Sequence, residues 1–319
     1  MTAVTDNGGP GGVSPEQGRS AFQAAEPIHA MIYFTPHFLP AYEAVGLRGR
    51  RMGYFASRAA AMGPVPADVV IATFFNFNPD LVRRAIPDAW ALASPEAILG
   101  ARLNAVDTSL REAWGDRVDG AEVAEAAELA TVAALAAVQW PHGRPLFGAH
   151  AELPWPQAPH LALWHAQTLL REYRGDGHVA LLTGAGLTPV EALVTHAAAG
   201  AVTDTALRMS RAWGDEDWAA GVAGIRARGW LADGDELALN EAGRAFRQDL
   251  EDRTDELAVG AWAALGPAGC ARLTELALPL SQAIIDSGLY RTVPGFARPP
   301  AADRGPRRAA DDLSARRWA

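Results

Sequence analysis

The chain has 319 residues, of which 49% are hydrophobic, 20% charged and 8% aromatic, with a mean hydropathy of -0.02. These values describe a globular chain with room for two domains, and they exclude an integral membrane protein and disorder of the whole chain. All 28 basic residues are Arg, and the net charge of -9 disfavours nucleic acid, because cationic side chains provide most of the non-specific affinity for a phosphate backbone.

The two ends of the chain have the composition of tails. Residues 1–20 are rich in Gly, Pro, Ser and Asn, and they contain neither the cationic nor the apolar region of an export signal. We therefore expect a disordered N-terminal tail and a cytoplasmic protein. Residues 291–319 hold seven Arg and three Asp among prolines, which predicts a second disordered tail. The lone Cys270 excludes an internal disulfide, so the core must stabilise the fold.

Apolar residues between these tails recur every three or four positions, and no run of alternating β-branched residues appears. This spacing predicts an all-α, mainly helical protein. The predicted helices cover 20–33, 36–45, 50–61, 66–76, 79–91, 94–114, 119–138, 144–151, 159–173, 176–185, 188–199, 203–213, 215–229, 241–264 and 267–288. Ser94 and Thr188, each followed by a proline, are predicted helix caps. The prolines at 154–159 predict a boundary between a helical N-terminal domain, 21–153, and a C-terminal domain, 154–290.

Polar side chains are concentrated first between residues 29 and 54. His29, Tyr33 and His37 have four-residue spacing and would share one face if the helix continued through Pro36. We identify Tyr33, Arg50 and Tyr54 as candidate ligand contacts and His37 as a candidate general base. The competing interpretation is a group of half-buried aromatic rings with Arg at its rim. No metal site is expected.

Asn76 and Asn78 flank a phenylalanine before Pro79. Asn78 is predicted to cap the helix 79–91, which leaves Asn76 as the better candidate to face a ligand. The helices 50–61, 66–76 and 79–91 have the three-helix order of a helix-turn-helix unit. We therefore consider a second, degenerate winged helix, which would make the chain a monomer with an internal pseudo-dimer. A homodimer paired through its long helices is the alternative.

The segment 165–178 combines His165, Arg171, Arg174, Asp176 and His178. Glycines on both sides of Asp176 predict a break between two helices, with Asp176 as the cap of the second. A helix N-terminus beside Arg171 and Arg174 suits a carboxylate, sulfate or phosphate. His178 would lie in the first turn, where the helix dipole favours a neutral imidazole that can act as a base. The alternative is a purely structural segment.

The segment 188–256 has the order of a winged helix. Three predicted helices precede Gly229, a turn at Asp233-Gly234 suits a tight hairpin, and Gly243-Arg244 opens a long helix. This order resembles the winged-helix part of MarR-type regulators. The Asn-Phe-Asn-Pro and Arg-Gly-Asp-Gly-His segments also resemble an actinobacterial family of helix-turn-helix-like proteins. The resemblance implies a winged-helix-like C-terminal domain with a small β-hairpin wing.

The charges of this segment oppose DNA binding. The expected wing tip, Asp233-Gly234-Asp235-Glu236, carries three carboxylates, and the expected recognition helix begins Asp215-Glu216-Asp217. The alternative is that these acids only favour a helix dipole, while Arg208 and Arg211 contact DNA.

We therefore favour a protein that binds a small anionic or aromatic molecule on a MarR-like scaffold without binding DNA. The chain has no phosphate loop, nucleophile elbow or zinc-helix motif, and no cofactor is expected. One alternative is an enzyme of specialised metabolism with His178 or His37 as general base. The other is a DNA-binding transcriptional regulator.

Overall fold

The computed structural model describes residues 10–200 and 202–290 and confirms an all-α protein. Within these residues the α-helices are α1 Pro15–Ala30, α2 Phe38–Glu43, α3 Gly49–Ala59, α4 Ala67–Phe74, α5 Pro79–Arg83, α6 Asp88–Leu92, α7 Pro95–Trp114, α8 Ala121–Val138, α9 Pro145–Ala151, α10 Pro159–Gly184, α11 Pro189–Ala198, α12 Asp204–Arg211, α13 Asp215–Ala227, α14 Glu241–Ala258 and α15 Gly266–Asp286. None of these helices alone has the length and apolar composition needed to cross a membrane.

The chain folds into two units that interleave along the sequence. The described part of the first unit comprises residues 10–41, 100–177 and 252–290, and that of the second comprises 42–99, 178–200 and 202–251. The boundary predicted at 154–159 lies inside the first unit.

The first unit is organised around α1 and α15. Ala24, Ala25 and Ile28 of α1 and Leu280 of α15 are buried in one core, and the small alanine side chains allow close packing. Ser281 on α15 donates from Oγ to the Ala24 carbonyl at 2.6 Å. The first and last helices of the described chain are therefore neighbours.

The helix α1 begins earlier than the sequence analysis predicts. Ser14 caps it, because Gln17 N donates to Ser14 Oγ at 3.3 Å and Ser14 N donates to Gln17 Oε1 at 2.9 Å. Pro15 occupies the first helical position. The predicted disordered tail is therefore wrong for residues 15–20, while residues 1–9 and 291–319 lie outside the described residues.

Two predicted helix boundaries are also wrong. The helix expected over 79–91 is divided into α5 and α6, and Pro87 stands between them with no backbone donor to continue a helix. The break expected near residue 175 is absent, because α10 continues through Gly175 and Gly177.

The second unit contains a helix-turn-helix arrangement formed by α11, α12 and α13. Thr188 and Glu191 form the predicted capping box, with Glu191 N donating to Thr188 Oγ1 at 3.2 Å. The helix α13 packs on α11 through Gly221, where a Cβ would stand only 2.6 Å from Val190 Cγ1. The absence of a side chain at this position sets the close approach of the two helices.

We expect Gly221→Ala to destabilise the protein by about 1–2 kcal/mol. The added methyl group forces Val190 or α13 to move, and this overpacking outweighs the higher helix propensity of alanine. Gly100→Ala is the matched control, because Gly100 is helical and exposed, with no atom within 4 Å of an added Cβ. Gly100→Ala should raise the free energy of unfolding by up to about 1 kcal/mol. Chemical denaturation measures the free energy of unfolding of both variants. A change of the same sign in both would contradict the role of Gly221 in the packing of α13 on α11.

The predicted β-hairpin wing is not formed. Leu231 and Leu239 pair in an isolated antiparallel bridge, and the described residues contain no strand. Leu239 N donates at 3.2 Å to Ala198 O at the end of α11. The Asn240 side chain donates to the Leu231 carbonyl at 3.1 Å. Across the turn Ala232 N donates to Ala238 O at 2.9 Å and Asn240 N donates to Trp230 O at 3.0 Å, so the pairing across the turn is limited to this bridge in the described residues.

The second unit also holds α3, α4 and α5 in the predicted three-helix order. The described residues between α5 and α11 contain no β-bridge, so no wing directly follows these helices. An internal pseudo-dimer and a homodimer both remain predictions.

Candidate functional site

The exposed surface of the helix-turn-helix arrangement carries more acidic than basic side chains. Asp215, Glu216 and Asp217 are exposed in the first turn of α13, and the exposed residues that follow on this helix are alanines and Arg226. The segment 233–236 exposes three more carboxylates. A helix that reads a major groove presents cationic and polar side chains at this end, so this surface repels a phosphate backbone.

Most arginines near this surface are engaged within the fold. Arg208 forms an ion pair with Asp215 across the turn. Arg228 donates to the Gly186 carbonyl at 2.6 Å, and Arg244 donates to the Leu239 carbonyl at 2.6 Å. These contacts hold the helices together, and moving the guanidinium groups to a phosphate would break them.

The turn between α12 and α13 packs against an earlier segment of the same unit. Asn78 N donates to Arg211 O at 3.0 Å, and Trp213 Nε1 donates to Asn76 O at 2.9 Å. The Arg211 guanidinium carbon stands 4.9 Å from the centre of the Phe77 ring. Residues 76–78 therefore cover the turn that leads into α13.

A group of buried and half-buried polar side chains surrounds Tyr33 in the first unit. We define this buried polar cluster as Glu26, His29, Tyr33, Arg102, His165 and Arg171. The Tyr33 hydroxyl lies 3.1 Å from His29 Nε2 and accepts a hydrogen bond from Arg102 Nη2 at 3.2 Å. The Arg171 guanidinium carbon stands 5.8 Å from the centre of the Tyr33 ring. Tyr33 thus joins α1, α7 and α10.

Arg102 carries the most deeply buried charge of this cluster. The residue is 2% exposed, and its guanidinium carbon stands 5.1 Å from the Trp164 ring centre and 5.9 Å from that of Tyr33. An Arg side chain stays ionised in a protein interior. The cluster therefore contains a permanent positive charge next to aromatic rings.

His165 lies beside this charge on α10. The residue is 4% exposed, and the edge of its ring meets Trp155 at a centroid distance of 4.8 Å. Burial, with a smaller contribution from the charge of Arg102, lowers the pKa of His165 to about 4. The imidazole is neutral at pH 7, and its buried Nε2 makes no hydrogen bond within the described chain.

The other end of the cluster is formed by Glu26 and Arg171. Arg171 Nε donates to Glu26 Oε1 at 3.3 Å, while burial raises the pKa of the Glu26 carboxyl. Tyr290 lies nearby, and burial together with the charge of Glu26 raises the pKa of its hydroxyl. Neither Glu26 Oε2 nor the Tyr290 hydroxyl has a hydrogen-bond partner in the described residues.

The buried polar atoms in or beside the cluster that make no hydrogen bond in the part of the chain described here include His165 Nε2, Glu26 Oε2 and Tyr290 Oη. An unsatisfied buried donor or acceptor costs about 1–3 kcal/mol, and native proteins contain few of them. These atoms belong to or adjoin one connected set of side chains, which makes the cluster a candidate site.

The anion site predicted at 171–178 is wrong in its geometry. No helix begins there, so Asp176 does not cap the helix that follows it. Its Oδ2 accepts hydrogen bonds from Leu146 N and Phe147 N, both at 2.9 Å, and thereby caps α9. Arg171 and Arg174 face carboxylates of the chain, with Arg174 Nη2 3.1 Å from Asp255 Oδ1.

The two predicted general bases have different surroundings. His178 is 3% exposed in the interior of α10, so the argument from a first-turn dipole does not apply to it. His37 is partly exposed, and its Nε2 lies 2.6 Å from Glu112 Oε2. A carboxylate in this position can orient an imidazole, and the role of each histidine as a base remains a prediction.

The other predicted contacts lie in the second unit. Arg50 is exposed on α3, and Arg58 donates to the Tyr54 hydroxyl at 3.0 Å. Asn76 Oδ1 is buried without a hydrogen-bond partner in the described residues, while its carbonyl accepts from Trp213. These three residues therefore do not belong to the buried polar cluster, whereas Tyr33, His165 and Arg171 do.

Sequence reasoning missed Arg102 and His160. Arg102 shares a helical face with Ala105, Val106 and Ser109, so a charged residue in an apolar stripe was the available signal. His160 is fully buried, and its Nε2 lies 2.7 Å from Asp107 Oδ1. Its position beside the proline break gave no such signal.

Comparison with known proteins gives one family match. A model described as a helix-turn-helix family matches residues 18–291. No curated protein and no solved structure matches the chain. The match extends over both units and supports neither the MarR-type resemblance nor an actinobacterial origin, which remain predictions.

Proposed function

The chain belongs to this helix-turn-helix family, and from that premise we propose that it binds a small molecule and has lost the ability to read duplex DNA. The proposal is carried by one observation, the buried polar cluster, in and beside which His165 Nε2, Glu26 Oε2 and Tyr290 Oη make no hydrogen bond within the described residues. Membership of the family indicates the scaffold, whereas the function depends on the side chains of the site.

The surface of the helix-turn-helix arrangement supports the loss of DNA binding. Residues 215–240 carry six carboxylates and two arginines, and Arg228 is bonded to backbone carbonyls. Without cations at the start of α13, a duplex gains no counterion release there. The contacts of residues 76–78 with the turn before α13 add a steric obstacle.

We expect no duplex affinity tighter than the non-specific range of roughly 10⁻⁴–10⁻⁶ M at about 150 mM salt. Fluorescence anisotropy with a pool of random duplexes measures this. Replacing Asp233, Asp235 and Glu236 together by Arg should tighten binding and steepen its salt dependence. Each new phosphate contact should add about 0.9 to the slope of log K against log salt.

The matched control reverses three other exposed acids, Asp116, Glu128 and Glu152, so that the net charge changes equally. The control should show a smaller change in salt slope. Removal of residues 293–319 tests how much residual affinity comes from the arginines of that segment. Selection of a specific operator with nanomolar affinity from the random pool would overturn the proposal.

A DNA-binding regulator is the second candidate. Membership of a helix-turn-helix family favours it, and Arg226 is an exposed cation on α13. If this candidate is right, Arg226→Ala should weaken duplex binding at least tenfold, whereas our proposal expects no change.

A further inference from the structure

We propose that residues 75–78 form a strained latch on the turn between α12 and α13, and that this latch opens by itself before the second unit unfolds. The closed latch is an autoinhibitory contact, because it covers the turn that leads into α13. This inference goes beyond the proposed function and does not depend on the ligand. All the residues that form the latch and its contacts belong to the second unit.

Phe75 is the strained residue of the latch. Its backbone has φ 58° and ψ -61°, a conformation that residues with a side chain rarely adopt. Asn76 N donates to Phe74 O at 2.7 Å, so Phe75 is the central residue of a tight three-residue turn of a rare and strained kind. Such a conformation persists only where the surrounding contacts impose it.

Hydrogen bonds on the C-terminal side of Phe75 hold the latch closed. The Asn76 carbonyl accepts from Trp213 Nε1 at 2.9 Å, and Asn78 N donates to Arg211 O at 3.0 Å. Both bonds join the latch to the turn between α12 and α13. They therefore impose the conformation of Phe75, which can relax when they break.

The side chains of Asn76 and Phe77 act in opposite directions on the latch. Asn76 Oδ1 is buried and makes no hydrogen bond in the described residues, whereas water would satisfy this atom once the latch opens. Phe77 favours the closed state, because it is 7% exposed and its ring centre lies 5.0 Å from that of Phe55. Strain and an unsatisfied acceptor thus oppose the contacts that close the latch, which favours a local opening.

Opening of the latch changes what the turn offers to other molecules. In the closed state the Trp213 indole N–H and the Arg211 carbonyl are bonded to residues 75–78. In the open state both groups become available. A molecule that binds this turn therefore competes with the latch and shifts the protein towards the open state.

Native-state hydrogen exchange of the full-length protein, followed by NMR, tests the opening. The Asn78 amide reports on the latch because it donates to Arg211, whereas Val194 is fully buried in α11. We expect the Asn78 amide to exchange at least about a hundredfold faster than the Val194 amide, after correction for intrinsic rates, because the latch opens without unfolding α11.

Trp213→Phe tests whether the indole hydrogen bond holds the latch. The substitution removes the donor to the Asn76 carbonyl and should speed exchange at Asn78 by about fivefold, without an equal change at Val194. Trp90→Phe is the matched control, because Trp90 Nε1 donates at 2.8 Å to the Val65 carbonyl, outside the latch but in the same unit. This control should leave exchange at Asn78 unchanged.

Phe75→Gly and Phe75→Ala separate the backbone strain from the loss of the ring. Both substitutions remove the phenyl group, but only glycine adopts a positive φ without strain. If residue 75 relaxes when the latch opens, the Asn78 amide should exchange at least about threefold more slowly in Phe75→Gly than in Phe75→Ala.

Each measurement has an outcome that would overturn this inference. Equal corrected exchange at Asn78 and Val194 in the parent protein would show that the latch does not open by itself. Equal exchange at Asn78 in Trp213→Phe and Trp90→Phe would show that the indole hydrogen bond does not hold it. Exchange in Phe75→Gly as fast as in Phe75→Ala would show that opening releases no strain at residue 75.

Discussion

Asp176→Ala should lower the free energy of unfolding by about 3 kcal/mol. The Asp176 carboxylate accepts hydrogen bonds from Leu146 N and Phe147 N at 2.9 Å, and the residue is 6% exposed. Hydrogen bonds to a charged group contribute about 1.5–3 kcal/mol each, and the substitution leaves two donors without their acceptor. The negative charge also stands at the N-terminus of α9, where the helix dipole favours it.

Equilibrium denaturation by urea checks this value. Asp176→Asn should lose about half as much stability, because the amide oxygen still accepts a hydrogen bond while the charge is gone. Glu128→Ala, at an exposed position on α8, is the control and should stay within about 0.5 kcal/mol of the parent. An Asp176→Ala protein as stable as this control would show that the cap of α9 contributes little.

Acidification from pH 7 to pH 4 should remove about 3 kcal/mol of stability through His165 alone. The pKa of His165 is about 4 in the folded protein, against the ordinary value of 6.5 for histidine. Between these values the unfolded chain binds more protons than the folded one, so stability falls as the pH falls. This contribution is complete above about pH 6.5 and is lost towards pH 4.

The measurement compares the parent protein with His165→Gln at several pH values. The loss between pH 7 and pH 4 should be about 3 kcal/mol smaller in the variant, because its side chain does not titrate. His142→Gln controls for the removal of a histidine, since His142 is exposed. Parallel stability curves for the parent and His165→Gln would contradict a depressed pKa at His165.

Local patterns predicted much of the helical architecture. Thr188 and Asn78 cap the helices that their side chains indicated, and Asn78 Oδ1 accepts from Asp80 N at 2.9 Å. These caps depend on neighbours within a few residues, so the sequence alone predicts them. The capping box at Ser14 is equally local, but the polar composition around it led to the prediction of a disordered tail instead.

Tertiary contacts explain what the sequence did not reveal. Glycines at 175 and 177 weaken a helix by only about 1 kcal/mol each, and the hydrogen bonds of Asp176 to a segment 30 residues away outweigh that preference. The buried polar cluster likewise joins residues from α1, α7 and α10. Three of its members were predicted candidates, but Arg102 was not, because its partners become neighbours only on folding.

The pairing of α1 with α15 has a consequence for the synthesis of the protein. A ribosome makes α1 first and α15 last, yet Ser281 of α15 bonds the Ala24 carbonyl of α1 and both helices share one core. Domains usually fold as they emerge during translation. In this protein the apolar face of α1 has no α15 to pack against until nearly the whole described chain has been synthesised.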